Sequence, residues 1–248
     1  VRIHRDVGVP ATLFMVGCNI EVQTRRLECC LASGYFEIAQ HTWDHRPLKT
    51  VVEESPENVF LPGLPLGEIE TQLARPVELL AKRLGVRCRG VTAPYCYYRG
   101  LADRPDILEI IARCGMSYVR SYGRNSRDYF PLGLDVQPFW YARQGFPDML
   151  ETPVQGWIDA QWRREHGWSN WPAFHDYLKS QVDLVADTGC CWSLCQHDWT
   201  SILHDESLRW TQKLLEYAAD RVRIMTHGDY YDELRQARDN EADRLSND

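Results

Sequence analysis

The stretch Phe36-Glu37-Ile38-Ala39-Gln40-His41-Thr42-Trp43-Asp44-His45 decides how the rest of the chain is read. A short apolar run ends, and two histidines follow four residues apart. On a helical turn, positions i and i+4 lie on one face. Both imidazoles could then reach one metal ion. A strand that delivers the pair to the end of a sheet suits a catalytic site. Such a site needs at least one more ligand and an open position for water.

Working outward, the run from Val9 to Gly17 is apolar and bounded by glycines, the pattern of a buried parallel strand. Residues 20–33 carry Ile20, Val22, Leu27 and Leu31 among charges, a helical period that Gly34 stops. Strand, helix, strand implies a parallel crossover. Downstream, residues 66–84 read as an amphipathic helix kinked at Pro76 and closed by Gly85. Strands are expected at 86–95, 116–121, 136–140, 149–154, 190–196 and 222–226. Helices are expected at 105–114, 171–186, 207–219 and from 229 to 244, with residues 238–248 a frayed polar tail. Strands alternating with helices argue for an α/β fold with a parallel sheet. No glycine-rich phosphate loop follows the first strand. A distorted (β/α) barrel of about seven parallel strands, as one domain over residues 1–248, fits better than a nucleotide-binding open sheet.

Bulk properties exclude several classes. Lys and Arg number 28 against 35 Asp and Glu, a net charge of −7. That argues against nucleic-acid binding by charge. No run of about 18 apolar residues encodes a membrane span. The nine cysteines lie mostly in apolar runs without a CxxC pair, which reads as buried thiols in a reducing, cytoplasmic compartment. The chain opens on Val1 inside a helix end, so residues upstream, the family's first strand among them, are expected, and any signal peptide would lie there.

In parallel α/β folds, functional groups gather at the C-terminal ends of strands. His41 and His45 follow one such strand, and Pro94-Tyr95 ends a second. Glu151, Thr152 and Asp159 lie at and after another, and His197, Asp198 and Trp199 end the run from Cys190. No GxSxG elbow is present. The economical chemistry is a hydrolase with a metal-activated water and a protonated histidine that serves the leaving amine.

The ordered set Val9-Pro10-Ala11-Thr12-Leu13-Phe14, His41-Thr42-Trp43-Asp44-His45, Gly90-Val91-Thr92-Ala93-Pro94-Tyr95, Leu150-Glu151-Thr152-Pro153-Val154 and Leu194-Cys195-Gln196-His197 resembles the polysaccharide deacetylase family. That family carries the NodB-homology domain and is carbohydrate esterase family 4-like. The closing pattern is similar to its cytosolic-type branch, with allantoinase-like and peptidoglycan-deacetylase-like members. The resemblance implies a distorted barrel and one divalent metal, usually zinc, held by two His and one Asp. It also implies a second Asp as base and a late His as acid. Carried over, His41 and His45 are metal ligands and His197 is the catalytic acid. Tyr95, with Pro94, lines the substrate groove, its backbone N–H helping to hold an oxyanion. Trp162 and Asp159 resemble the fourth motif loosely, with Trp162 a substrate contact. Asp44 and Asp198 are candidates to orient the imidazoles beside them.

Two departures stand out. The family's Asp-Asp strand lies further upstream than the ten residues before Ala11, so the third ligand and the base are not in this sequence. Thr92 stands where the family has the arginine that braces the base. The expected function is therefore metal-dependent hydrolysis of a non-peptide carbon–nitrogen bond, N-deacetylation of an amino sugar or polysaccharide. A deformylase or allantoinase-like cyclic-amide hydrolase shares the same site. From another class, a barrel without catalysis would bind carbohydrate through its tryptophans, which equally suit a core or a homo-oligomer interface. Either way the partner is a carbohydrate or a small amide, with no nucleic acid.

Overall fold

A computed structural model describes residues 1–53 and 58–247. Eight strands are present: β1 (Ala11–Met15), β2 (Phe36–Gln40), β3 (Val51–Glu53), β4 (Val59–Leu61), β5 (Gly90–Tyr98), β6 (Tyr118–Arg124), β7 (Phe139–Tyr141) and β8 (Phe146–Glu151). Nine α-helices accompany them among the described residues: α1 (Arg2–Val7), α2 (Ile20–Ala32), α3 (Leu66–Leu84), α4 (Pro105–Arg113), α5 (Asp159–His166), α6 (Trp171–Thr188), α7 (Asp198–Ile202), α8 (Arg209–Ala219) and α9 (His227–Asn247).

The main sheet has six strands in the order β1-β2-β5-β6-β8-β7. Every pairing is parallel except β7 with β8, which is antiparallel. The α/β class and the parallel crossovers are as the sequence implies. A small antiparallel pair, β3 with β4, stands in what reads as a proline-rich loop.

Side-chain alternation divides the sheet. Leu13, Ile38, Val91, Ala93 and Val119 face outward, where α2, α3 and α4 bury them with Leu27, Leu73, Leu80, Ile107 and Ile111. Thr12, Phe14, Glu37, Ala39, Tyr118 and Arg120 face the other way. There α9 closes the base of the molecule, with Tyr231 packed on Ala39, Tyr118 and Leu150. Glu37 accepts hydrogen bonds from Thr12 Oγ1 (2.8 Å), Tyr118 OH (2.8 Å) and the Gly228 N–H (2.9 Å), which ties β1, β6 and the start of α9 together. A second core lies under the C-terminal helices, where Trp162, Trp171, Phe174, Leu178 and Leu214 pack together.

Two expectations are corrected. The runs 190–196 and 222–226 are extended but form no ladder. In the first, side chains take the backbone groups that a strand would pair. Gln137 and Gln155 donate to the Cys191 carbonyl, each at 3.0 Å, and accept from the N–H groups of Cys191 (2.7 Å) and Ser193 (2.9 Å). Helix α3 spans residues 66–84 as the sequence implies, with Pro76 inside it. The last helix continues to Asn247, and Arg238 reaches Asp148 at 2.6 Å across to the sheet. No helix among the described residues is long and apolar enough to cross a membrane.

Candidate active site

The two histidines meet, but not on a helix. Residues 42–44 form a turn in which Thr42 (φ 59°) and His45 (φ 62°) adopt left-handed backbone. A β-branched residue there is strained and must be held by its surroundings. The holding groups are visible. Gly17 and Cys18 donate their N–H groups to the carbonyls of Thr42 and Trp43, both at 2.8 Å. Gln40 accepts from the Thr42 N–H (2.8 Å), and buried Gln72 of α3 accepts from Trp43 (2.9 Å) and Asp44 (3.2 Å). Trp43 lies so close over Gly17 that a Cβ there would stand 2.8 Å from its ring. The result is two imidazoles 4.6 Å apart, edge to face, with the Tyr95 ring 5.1 Å from His45.

His41 keeps one ring nitrogen free of protein hydrogen bonds. Its Nδ1 lies 2.7 Å from the Thr92 carbonyl, which can only accept, so Nδ1 carries the proton and Nε2 is left with its lone pair. Burial and the charge of His45 push its pKa down to about 3, against that hydrogen bond, with His197 and Arg120 adding to the shift. The ring is neutral at any physiological pH. Thr92 thus serves the site through its backbone.

His197 has the opposite character. Burial alone would lower its pKa. The hydrogen bond from Nδ1 to Asp159 Oδ1 (2.6 Å), helped by Cys195 and the Asp159 charge, overcomes this and raises it to about 9. Asp159 is 1 % exposed and opens α5. It also accepts from the N–H groups of His197 (2.6 Å) and Ala160 (2.8 Å) and from the Thr200 hydroxyl. Four donors fix this carboxylate, and it fixes the ring. At neutral pH His197 is an imidazolium with Nε2–H as its remaining donor.

Two further groups complete the interior. Arg120, on β6 and in register with Thr92, is 3 % exposed. Its Nε donates to Ser193 Oγ (2.9 Å) and Nη2 to the carbonyls of Ser193 and Leu194 (3.0 Å each). Ser193 Oγ, which accepts from Arg120, also lies within hydrogen-bond distance of His227 Nε2, at 3.1 Å. His227 is buried against Phe14 and Tyr118, and burial with the Arg120 charge lowers its pKa to about 3.

Other expected site residues fall elsewhere. Trp162 is a core residue, stacked on His166 at 4.3 Å and packed on Phe174. The exposed indole near His197 is Trp199, 6.0 Å away and 50 % exposed. Asp198 accepts from the Trp199 N–H (2.7 Å), Asp44 is exposed, and the carboxylate on the His197 ring is that of Asp159. Pro94 and Tyr95 sit where β5 loses register with β6, and the Tyr95 carbonyl accepts from Arg124 Nε at 3.0 Å. Sequence reasoning passed over Arg120 and Ser193. Among the described residues, no group of three or more His, Cys, Asp or Glu is placed to hold a metal ion. The imidazoles suit a divalent ion in kind, and a third ligand is not among these residues.

Residues 1–119 match the polysaccharide deacetylase family. That match spans 119 of the 248 residues, just under half of the chain. Among solved structures, it resembles a candidate polysaccharide deacetylase from Mycobacterium smegmatis, with TM-score 0.62 and 16 % identity over 96 % of this chain and 76 % of that one. It resembles a second, from Pseudomonas aeruginosa PAO1, with TM-score 0.65 and 18 % identity over 93 % and 69 %. These likenesses fix the fold as the NodB-like barrel. No curated protein sequence matches the chain.

Proposed function

We propose that this polysaccharide deacetylase-family chain is a metal-dependent hydrolase of a non-peptide carbon–nitrogen bond, removing the acetyl group from an amino sugar. The observation that carries the reading is the pairing of a neutral, Nε2-directed His41 beside His45 with an imidazolium at His197, close enough for the His197 charge to act on His41. One end of the site binds a cation and the other donates a proton.

His41 Nε2 and His45 would supply two nitrogen ligands to a divalent ion, zinc by ligand type. Such an ion polarises an acyl oxygen and lowers the pKa of a water when bound. The chain's own part in the reaction follows from His197. Water oxygen bonds to the acyl carbon, one water proton passes to the carboxylate that the family uses as base, and the carbon–nitrogen bond breaks. The nitrogen leaves with the proton from His197 Nε2, giving acetate and a free amine. Asp159 stabilises the cation before transfer and keeps Nε2 pointed at the leaving group. Pro94 and Tyr95 beside His45 form one wall of the substrate groove. Trp199 offers a flat apolar face to a sugar ring beside the acid.

The test is acetate release from a panel of N-acetylated sugar oligomers, with metal content measured on protein purified without chelator. The wild type should release acetate, lose activity on chelation and regain it with zinc. His197→Ala should lower the rate by about 10²–10⁴-fold. A second reading, a barrel that binds carbohydrate without cleaving it, is favoured by the want of a third ligand among the described residues. Bound oligosaccharide without acetate release or metal would establish that reading instead.

A further inference from the structure

Helix α7 has five residues. A helix that short does not hold itself in water, so its free backbone groups need partners from outside. Both of its ends are held by α5. At the first end Asp159 accepts from the His197 N–H (2.6 Å) and from the Thr200 hydroxyl. One turn further along α5, Arg163 takes the other end. Its Nη1 donates to the Thr200 carbonyl and its Nη2 to the Leu203 carbonyl at 2.9 Å. Positions i and i+4 share one helix face, so the two charges flank α7. The anion lies at its N-terminal end and the cation at its C-terminal end, the order that the helix dipole favours.

Arg163 is fully buried. Its Nε (2.9 Å) and Nη2 also donate to the Trp168 carbonyl. The guanidinium lies 4.3 Å from the Trp171 ring and 5.6 Å from the Trp168 ring. One planar fork thus joins the turn after α5 to the end of α7, through bonds that a charged donor strengthens. The elements it joins carry the candidate chemistry. His197 is the N-cap of α7, Trp199 lies in its first turn, and the Thr200 hydroxyl is one of the four donors on Asp159. The Trp168 and Trp199 rings meet at 5.8 Å, so the fork holds the backbone at or next to both indoles.

We propose that Arg163 is a positioning residue: by holding the carbonyl end of α7 it keeps the Thr200 hydroxyl on Asp159, and so fixes the His197 ring and the Trp199 indole. Arg163 is sealed in the interior and acts through Thr200 and Asp159. Without the fork, the carbonyls of Trp168, Thr200 and Leu203 lose their charged donor. Helix α7 then shifts against α5, Thr200 leaves Asp159, and the bond from Asp159 to His197 lengthens. Lysine keeps the charge but not the planar fork, so it does not span the same carbonyls at once. The part of Arg163 in catalysis rests on His197 as the proposed acid. Its hold on the ring does not.

The His197 Nδ1–H proton, bonded to Asp159 at 2.6 Å, gives the readout. Proton NMR of the full chain should show it as a slowly exchanging low-field signal in wild type, absent from Asp159→Asn. Arg163→Lys should lose or broaden that signal under conditions where circular dichroism shows the variant folded. Leu178→Ala, which thins the core under α6, controls for lost stability alone and should keep it. If Arg163→Lys does not fold, Thr200→Val, which removes the hydroxyl on Asp159, takes its place and should lose the signal. No low-field signal in wild type, a wild-type signal in the folded Arg163→Lys or Thr200→Val, or equal loss in Leu178→Ala overturns the proposal. None of these measurements uses turnover, so they stand apart from success or failure of the deacetylase reading. Where wild type releases acetate, kcat of Arg163→Lys should fall by about 10²-fold, the cost of a misplacement of about 1 Å far from the chemistry. Leu178→Ala should keep the wild-type kcat, and equal kcat for wild type and Arg163→Lys overturns the part in catalysis.

Discussion

Asp159 and His197 show how a single contact sets the charge state of a candidate acid. Burial favours the neutral ring, and one carboxylate 2.6 Å away reverses this. Asp159→Asn should therefore drop the His197 midpoint well below about 9, since burial would then be opposed by Cys195 alone. The ring Cε1–H shift followed by NMR against pH checks this, and an unchanged midpoint would refute the assignment. The sign for stability follows from the raised value. The pair's contribution is fully present below the unfolded value of 6.5 and is lost as pH rises through about 9. The urea midpoint of the wild type should fall across that window, and that of Asp159→Asn should not. At this scale the sequence was readable where spacing is local. The four-residue interval of His41 and His45 placed the two imidazoles near each other, 4.6 Å apart. Asp159 lies 38 residues from His197 and Arg120 lies 73 from Ser193, so only the fold brings them together.

At the scale of elements, the strands that alternate apolar residues against glycine-closed helices were legible from period and punctuation. The run 190–196 was not, because its extended backbone is paired by Gln137, Gln155 and Arg120 side chains rather than by a neighbouring strand. Gln155 donates to Val136 and Cys191 and accepts from Ser193, so Gln155→Leu strands several buried groups at once. The cost should be about 1–3 kcal/mol for each group left unpaired, read from chemical denaturation. Amide exchange at Ser193 should also rise. Gly90 makes a second element-level case. A Cβ there would stand 1.8 Å from the Tyr118 ring, which bonds Glu37 at the base. Gly90→Ala should destabilise by about 1–3 kcal/mol or more as the ring is displaced. An unchanged midpoint would mean that Tyr118 does not pack over β5.

Across the whole molecule, the sheet with α2–α4 and α9 presents the histidine pair, while the tryptophan-rich core under α5, α6 and α8 carries Asp159 and supports His197. Composition showed the tryptophans but not which were structural. Trp162 and Trp171 are interior, and Trp199 is exposed beside His197. Phe174→Ala in that second core should cost about 3–5 kcal/mol. Above its melting point's shifted onset, His197 should lose its raised midpoint with the core that positions Asp159. The barrel class was legible because alternation and crossover rules are global. The third ligand and the base were not, and the described residues place neither.

The central claim is that the His41–His45 pair binds a catalytic cation in a deacetylase. The most direct measurement is acetate release from an N-acetylated sugar oligomer by chelator-stripped chain titrated with zinc, for wild type and His41→Ala. The account predicts that activity rises to a plateau near one zinc per wild-type chain and that His41→Ala shows none at that zinc level. Activity without zinc, or an unaltered titration in His41→Ala, would contradict it.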